Sequence, residues 1–203
     1  DSDVSRLNRE AALRPVRVHR WTYEVLCLAS ELYEASGGLF DIAIADALQR
    51  LGLLPRVSAD RPAPAGARSP DPPVELLSGD RVRFTRRDVR IDLGGIAKGF
   101  AVDRAVATLR ACGVPRGLVN AGGDVAAFGP EPYTVDVHDP RHRGRILLRV
   151  QILDEAIASS GHAFDRVAGD ASMAIVDPRS EQPAAAVHGA SVRAPSCVIA
   201  DAL

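Results

Sequence analysis

The stretch IDLGGIAKGFAVDRAV, residues 91–106, holds the densest set of residues suited to chemistry. A strand-like run reaches Asp92, meets Gly94-Gly95 and passes at once into an amphipathic helical pattern that begins around Lys98 and Gly99. Glycine inside a helix start weakens it, so a second reason for Gly99 is needed. One reading is a tight strand-to-helix turn. The other is anion binding, in which free amides at the helix N-terminus and Lys98 meet a phosphate. The spacing is not that of a Walker P-loop, and GGxxxG breaks the GxGxxG order of a dinucleotide fingerprint.

A second glycine pair lies in LVNAGGDVAAFG, where Gly122-Gly123 interrupts a strand-like run and Asp124 follows. It reads either as a bulge with a turn-forming aspartate or as a place where a ligand approaches the backbone. Asp201, near the start of a C-terminal helical pattern, is either a partner of the helix dipole or a hard oxygen ligand for Mg²⁺. His162 follows Ser159-Ser160-Gly161 at a strand end, a place from which side chains project into clefts. His19 and His188 read as surface or helix-edge residues, and His138 and His142 as part of a solvated loop, VHDPRHRGR. No Ser-His-Asp or Cys-His order is evident.

These residues need elements to position them. VHRWTYEVLCLASELYEA, residues 18–35, places Trp21, Val25, Leu28 and Leu32 on one helical stripe, and Gly37-Gly38 ends that helix. A shorter helical stretch covers about 42–52, and 54–80 reads as an irregular connector rich in Pro, Ala and Arg. RVRFTRRDVRIDL predicts a hairpin turning near Arg86-Arg87-Asp88. Residues 97–112 follow as a helix with Ala101, Ala105, Leu109 and Cys112 on one side. The second half consists of short alternating or β-branched runs, several close enough in sequence to pair antiparallel. SCVIADAL starts a last helix with Ser196 as N-cap. Helices, then strands, then a helix argue for an α+β fold of largely antiparallel strands with packed helices.

Composition narrows the classes. The 203 residues suffice for a sizeable core and one domain over 1–203. A net charge of −1 carries no electrostatic footprint for nucleic acid. No run of about 18 apolar residues predicts a membrane span. Cys27, Cys112 and Cys197 are far apart and odd in number, so buried free thiols are expected rather than a disulfide framework or a zinc site.

In order along the chain, several segments together resemble the FAD:protein FMN transferase (ApbE-type) family. DSDVSRLN resembles its D-S-x-x-S-x-x-N segment, and SGGLFDIAI its T-G-G-x-F-D-x-x-V segment. DLGGIAKGFAVDRA and VNAGGD are similar to its two strongest motifs, and IASSG to its T-S-G. IVDPRS resembles I-D-P-x-T-G, and SVRAPSCVIADAL resembles S-V-x-A-x-x-C-x-x-A-D-A-L-x-T.

The resemblance implies the ApbE-like, T-fold-related architecture. It also implies Mg²⁺-dependent transfer of FMN from FAD to a Thr or Ser hydroxyl of an acceptor flavoprotein that carries a flavinylation motif, with release of AMP. By the same resemblance, Gly95 (through its main-chain carbonyl) and Asp201 bind the metal. Asn8, Leu39, Phe40, Asp41, Lys98 and Ile175 line or contact bound FAD. The family's histidine ahead of I-D-P falls on Ala174, which leaves His162 as the nearest substitute general base. That replacement keeps two alternatives: a FAD-binding or degenerate homologue with weak or no transfer, and a Mg²⁺-dependent FAD pyrophosphatase yielding FMN and AMP. The family's N-terminal strand would precede residue 1, and its threonine ligand, one helical turn after the aspartate, would fall beyond Leu203. The resemblance also implies a bacterial protein that is periplasmic or a membrane-anchored lipoprotein, with a cytoplasmic location as the alternative.

Overall fold

The computed structural model describes residues 2–55, 72–142, 144–161, 175–184 and 187–203. The described residues group into two compact units. The first comprises 1–93 with 176–182, and the second 94–175 with 183–203.

The first unit contains α1 (Asp3–Glu10), β1 (Val16–Arg17), α2 (Arg20–Ala35), α3 (Ala45–Arg50), β2 (Val74–Leu77) and β3 (Arg81–Phe84). Ser2 caps α1 by accepting from the Ser5 amide, and His19 caps α2 by accepting from the Trp21 amide. The Asp3 carboxylate accepts from the His19 amide at 2.7 Å and the Thr22 hydroxyl at 2.9 Å, so α1 braces the start of α2. The face of α2 differs from the predicted stripe. Val25, Leu26 and Ala29 are buried, whereas Trp21 is 51% exposed. Helix α2 ends as expected: the Gly38 amide bonds back to the Tyr33 carbonyl, with Gly37 and Gly38 at positive φ.

The predicted hairpin also moves. Strand β3 is the centre of a sheet ordered β1-β3-β2, and its partner β2 lies within the stretch read as connector. The turn is Ser78-Gly79-Asp80, where Gly79 and Asp80 take positive φ, and not Arg86-Arg87-Asp88. Alternation explains the choice: Val82 and Phe84 point inward and are buried, and Arg81 and Arg83 point out. Residues 56–71 of the connector lie outside the described residues. Segment 176–182, which includes the short strand β9 (Val176–Asp177), is tied to the first unit by an Arg50–Glu181 ion pair.

The second unit begins with the turn at 94–96, then α4 (Ala97–Ala111), β4 (Gly117–Ala121), β5 (Asp124–Phe128), β6 (Tyr133–His138), β7 (Ile146–Ile152) and β8 (Ala156–Gly161). After β10 (Gln182–Pro183) come β11 (Gly189–Ala194) and α5 (Cys197–Ala202). Strands β11-β8-β5-β4 form an antiparallel sheet. On one face, Ala126, Ala156, Ala158 and Ala194 pack with Val102 of α4 and with Cys197 and Ala200 of α5. Alanine there lets the helices lie close to the sheet. On the other face, Val125, Ala127 and Ile157 pack against Val137 and Ile152 of the β6–β7 ribbon. Strand β5 is therefore buried at every position, which a half-exposed strand would not be.

Helix α4 matches the predicted span, but its buried residues are Gly99 and Val102, and Ala101 and Cys112 are exposed. All three cysteines are free, and only Cys197 is buried. Among the described residues, no helix is long and apolar enough to cross a membrane.

Candidate functional site

The two sequence features that raised chemical questions meet in the second unit. The turn containing Gly94 and Gly95 is exposed and leads directly into α4. Gly122 and Gly123 form the two-residue turn between β4 and β5, with φ of 68° and 107° and with Ala121 opposite Asp124. Both central residues at positive φ is a hairpin geometry that glycine supplies without strain. The bulge reading therefore gives way to a turn, closed by the Asn120 side chain accepting from the Gly123 amide at 3.0 Å. That turn delivers Asp124 inward rather than out to solvent.

Asp124 and Asp201 converge on Lys98. The Lys98 ammonium donates to Asp124 Oδ2 at 2.5 Å and reaches Asp201 Oδ1 at 3.3 Å. The two carboxylate side chains are only 2% and 3% exposed, whereas Lys98 is 53% exposed. Two buried carboxylates thus share one ammonium. Burial pushes the Asp124 pKa up; the Lys98 hydrogen bond opposes this, the Asp201 charge adds to it, and the net direction is upward. For Lys98, burial alone would lower the pKa, but the hydrogen bond to Asp124 and the charges of both carboxylates outweigh it and hold the ammonium protonated.

Asp201 has a second bond. Its Oδ2 accepts from the Gly99 amide at 2.9 Å. It thereby serves the dipole of a helix start, that of α4, which has no side-chain cap of its own. Gly99 itself is explained by clearance. A Cβ there would lie 2.3 Å from the Cys197 carbonyl oxygen and 2.8 Å from Asp201 Cβ. Any larger residue would force α5, and Asp201 with it, away from α4.

Ser196 occupies the N-cap position of α5 but makes no side-chain cap bond. The cap comes instead from Asp103, whose two oxygens accept from the Cys197 and Val198 amides at 2.8 and 2.9 Å. Cys197 is packing rather than chemistry: burial, then the Asp103 charge, pushes its thiol up to about 12.

The other residues singled out from the sequence lie elsewhere. The Asn8 side chain bonds the backbone of Ile91 twice, donating to its carbonyl at 2.9 Å and accepting from its amide at 2.8 Å. It braces the run leading to Asp92 within the first unit. Leu39, Phe40 and Asp41 form the turn after α2; Leu39 is 54% exposed, and the Asp41 carboxylate accepts from the Ala43 amide. Ile175 is half-buried, and its carbonyl accepts from the Ala184 amide. His162 and Ala174 lie outside the described residues. His19 and His188 are exposed, as expected of them. Sequence reasoning missed Asp103 and the inward role of Asp124. The signal for Asp124 was present, since a two-glycine turn ahead of a β-strand aims the first strand residue.

The donor set suits a hard cation. Among the described residues no group of three or more His, Cys, Asp or Glu side chains forms a metal cage. Mg²⁺ rarely uses one: it takes one or two carboxylates and completes its shell with water and substrate phosphates. Asp124 and Asp201 are two buried oxygen donors of that kind beside an exposed glycine turn.

Comparison with known proteins agrees over the whole chain. A sequence model of the ApbE family matches residues 1–203. The FAD:protein FMN transferase of Rhodobacter capsulatus is 33% identical over 184 residues, covering 82% of this chain and 34% of that protein. That of Treponema pallidum is 30% identical over 239 residues, covering 100% of this chain and 63% of that protein. The chain thus spans less than two thirds of the length of either relative. Among solved structures, the ApbE protein of Thermotoga maritima superposes with a TM-score of 0.83 at 28% identity, covering 99% of this chain and 69% of that one. The apo form of the Pseudomonas stutzeri flavinyl transferase ApbE gives 0.79 at 26% identity, over 100% and 66%. The mixed fold of helices and antiparallel sheet is the one expected, and the chain belongs to the ApbE family.

Proposed function

We propose that this protein transfers FMN from FAD to a Thr or Ser hydroxyl of an acceptor flavoprotein, with Mg²⁺ and release of AMP. The observation that carries this reading is the pair of buried carboxylates, Asp124 and Asp201, gathered around Lys98 at the start of α4. Family membership and relatives named FAD:protein FMN transferase support the same chemistry.

Asp201, the Gly95 carbonyl and Asp124 are the groups proposed to hold the metal. When bound, Mg²⁺ would polarise the diphosphate and offset charge on the departing AMP. Lys98 has three N–H donors, of which two are directed at carboxylates. Its half-exposed ammonium has capacity for a diphosphate oxygen. The acceptor hydroxyl attacks the FMN phosphorus: a phosphoester P–O bond forms, the diphosphate P–O bond breaks, and the hydroxyl proton passes to a base. His162 is the proposed base. Leu39, Phe40, Asp41 and Ile175 are proposed FAD contacts on the family resemblance, as is Asn8, whose observed role is to brace Ile91. Hydrolysis to FMN and AMP follows if water takes the place of the hydroxyl.

The test is incubation with FAD, Mg²⁺ and an acceptor bearing a flavinylation motif, read by mass spectrometry. Transfer adds the mass of FMN less one water to the acceptor and stops with EDTA. FAD cleaved without acceptor labelling assigns the pyrophosphatase instead, and bound but uncleaved FAD assigns a degenerate homologue. If His162 is the base, His162→Ala abolishes labelling and Ala174→His adds little. A strong gain from Ala174→His shows that the base position is vacant in the parent.

A further inference from the structure

Helices α4 and α5 cap each other. The first turn of α4 lacks a cap of its own and receives one from Asp201 in α5, through the Gly99 amide. The first turn of α5 lacks a side-chain cap from Ser196 and receives one from Asp103 in α4, through the Cys197 and Val198 amides. Asp103 lies one helical turn after Gly99, and Asp201 one turn after Cys197. The two helices are therefore joined at two levels, and Gly99 gives the room for their close approach, with the Cys197 carbonyl against its backbone.

Helix α5 spans only Cys197–Ala202, too short to hold its own shape in water. Its rotation and axial position must be set by what it touches. Asp103 grips two successive amides with two oxygens, and charge-assisted bonds of this kind are about twice as strong as neutral ones. A carboxylate one turn further along is then fixed in direction. Without that grip, the direction of the Asp201 carboxylate rests on its bonds to Gly99 and Lys98 and on the packing of Cys197 and Ala200.

We propose that Asp103 is a positioning residue: it sets the orientation of the Asp201 carboxylate toward a divalent cation without touching the cation or FAD. This rests on the reading of Asp201 as a metal ligand. Outer residues that orient a ligand typically matter about 10–100-fold in metal affinity.

The test is Mn²⁺ binding to the purified protein without FAD, followed by electron paramagnetic resonance of free Mn²⁺. Four variants are compared with the parent: Asp103→Ala, Asp103→Asn, Asp201→Asn and Gly79→Ala. The last strains the β2–β3 turn, where Gly79 has φ 77°, and reports what a general loss of stability does. Asp201→Asn should bind Mn²⁺ weakly. Asp103→Ala should lose about tenfold or more, Asp103→Asn should recover part of that through its one carbonyl oxygen, and Gly79→Ala should bind as the parent does. Parent-like binding by Asp103→Ala, with loss in Asp201→Asn, overturns the positioning role and leaves the metal reading standing. Parent-like binding by Asp201→Asn overturns the metal reading, and the positioning role with it. Equal losses in Asp103→Ala and Gly79→Ala overturn the positioning role as a mere stability effect. If Asp103→Ala does not fold, Asp103→Asn carries the test, and parent affinity there overturns the proposal.

Discussion

At Gly122 and Gly123 the backbone turns at positive φ, and an added Cβ would meet nothing within 4 Å. At Gly99 the backbone is helical, and an added Cβ would lie 2.3 Å from the Cys197 carbonyl oxygen. All three glycines sit in motifs that look alike in sequence. In the first region glycine supplies a conformation, and space is free. In the second it supplies space, and the conformation is one any residue adopts. The tolerance of the two regions should differ accordingly, and so should the effect on Asp201.

The largest effect is expected at the close approach. Gly99→Ala cannot be relieved by a flexible side chain, because the nearest atoms are the Cys197 backbone. Overpacking of this kind costs about 1–3 kcal/mol, occasionally more, and should appear in urea unfolding together with loss of AMP release. Parent-like stability would remove the distinction between the two regions.

A bracing contact in the first unit gives a reference of intermediate size. Asn8→Ala leaves both the amide and the carbonyl of Ile91 without their side-chain partner. Ile91 is 1% exposed, so water does not replace Asn8 readily. The expected loss is about 2 kcal/mol of unfolding free energy. A loss under half of that would mean that the 90–92 run is held by other contacts.

Gly122→Ala should cost less, about 1 kcal/mol from the left-handed backbone alone. Gly122→Asn should recover most of it, since asparagine accepts this region. A larger loss in Gly122→Ala, unrelieved by asparagine, would mean that space matters there too.

The smallest effect is at the surface. The Arg193 hydrogen bond holds the Glu155 carboxyl below its ordinary value of 4.5. A depressed carboxylate contributes stability above the unfolded value that is lost as pH falls through the folded one. Glu155→Gln should thus be slightly less stable than the parent at pH 7, and the difference should vanish in acid below that value. A difference that persists there would show a packing effect instead.

Much of this was legible in the sequence. The glycine junction, Lys98 and Asp201 were singled out from residue type and position, and they do meet. The span of α4 and the glycine stop of α2 were readable because propensity and punctuation are local. What was missed is non-local. The face of α4 depends on α5 and the sheet, so the buried side runs through Gly99 and Val102 and not through the alanines. Asp103 looked like one charge among many on a helix, and only the start of α5 gives it a task. The β2–β3 pairing was obscured by the proline-rich stretch before it, which drew the connector boundary too far.

The central claim is that Asp201, held beside Lys98 and Asp124, binds the metal through which FAD is cleaved. The most direct measurement is the rate of AMP release from FAD at limiting Mg²⁺, parent against Asp201→Asn. Asparagine keeps the shape and one oxygen but loses the charge a hard cation favours. The account predicts a fall of at least about tenfold, corresponding to about 1.4 kcal/mol in the barrier, partly recovered at high Mg²⁺. Equal rates at limiting Mg²⁺ would contradict it and leave Asp201 as a cap for α4 and nothing more.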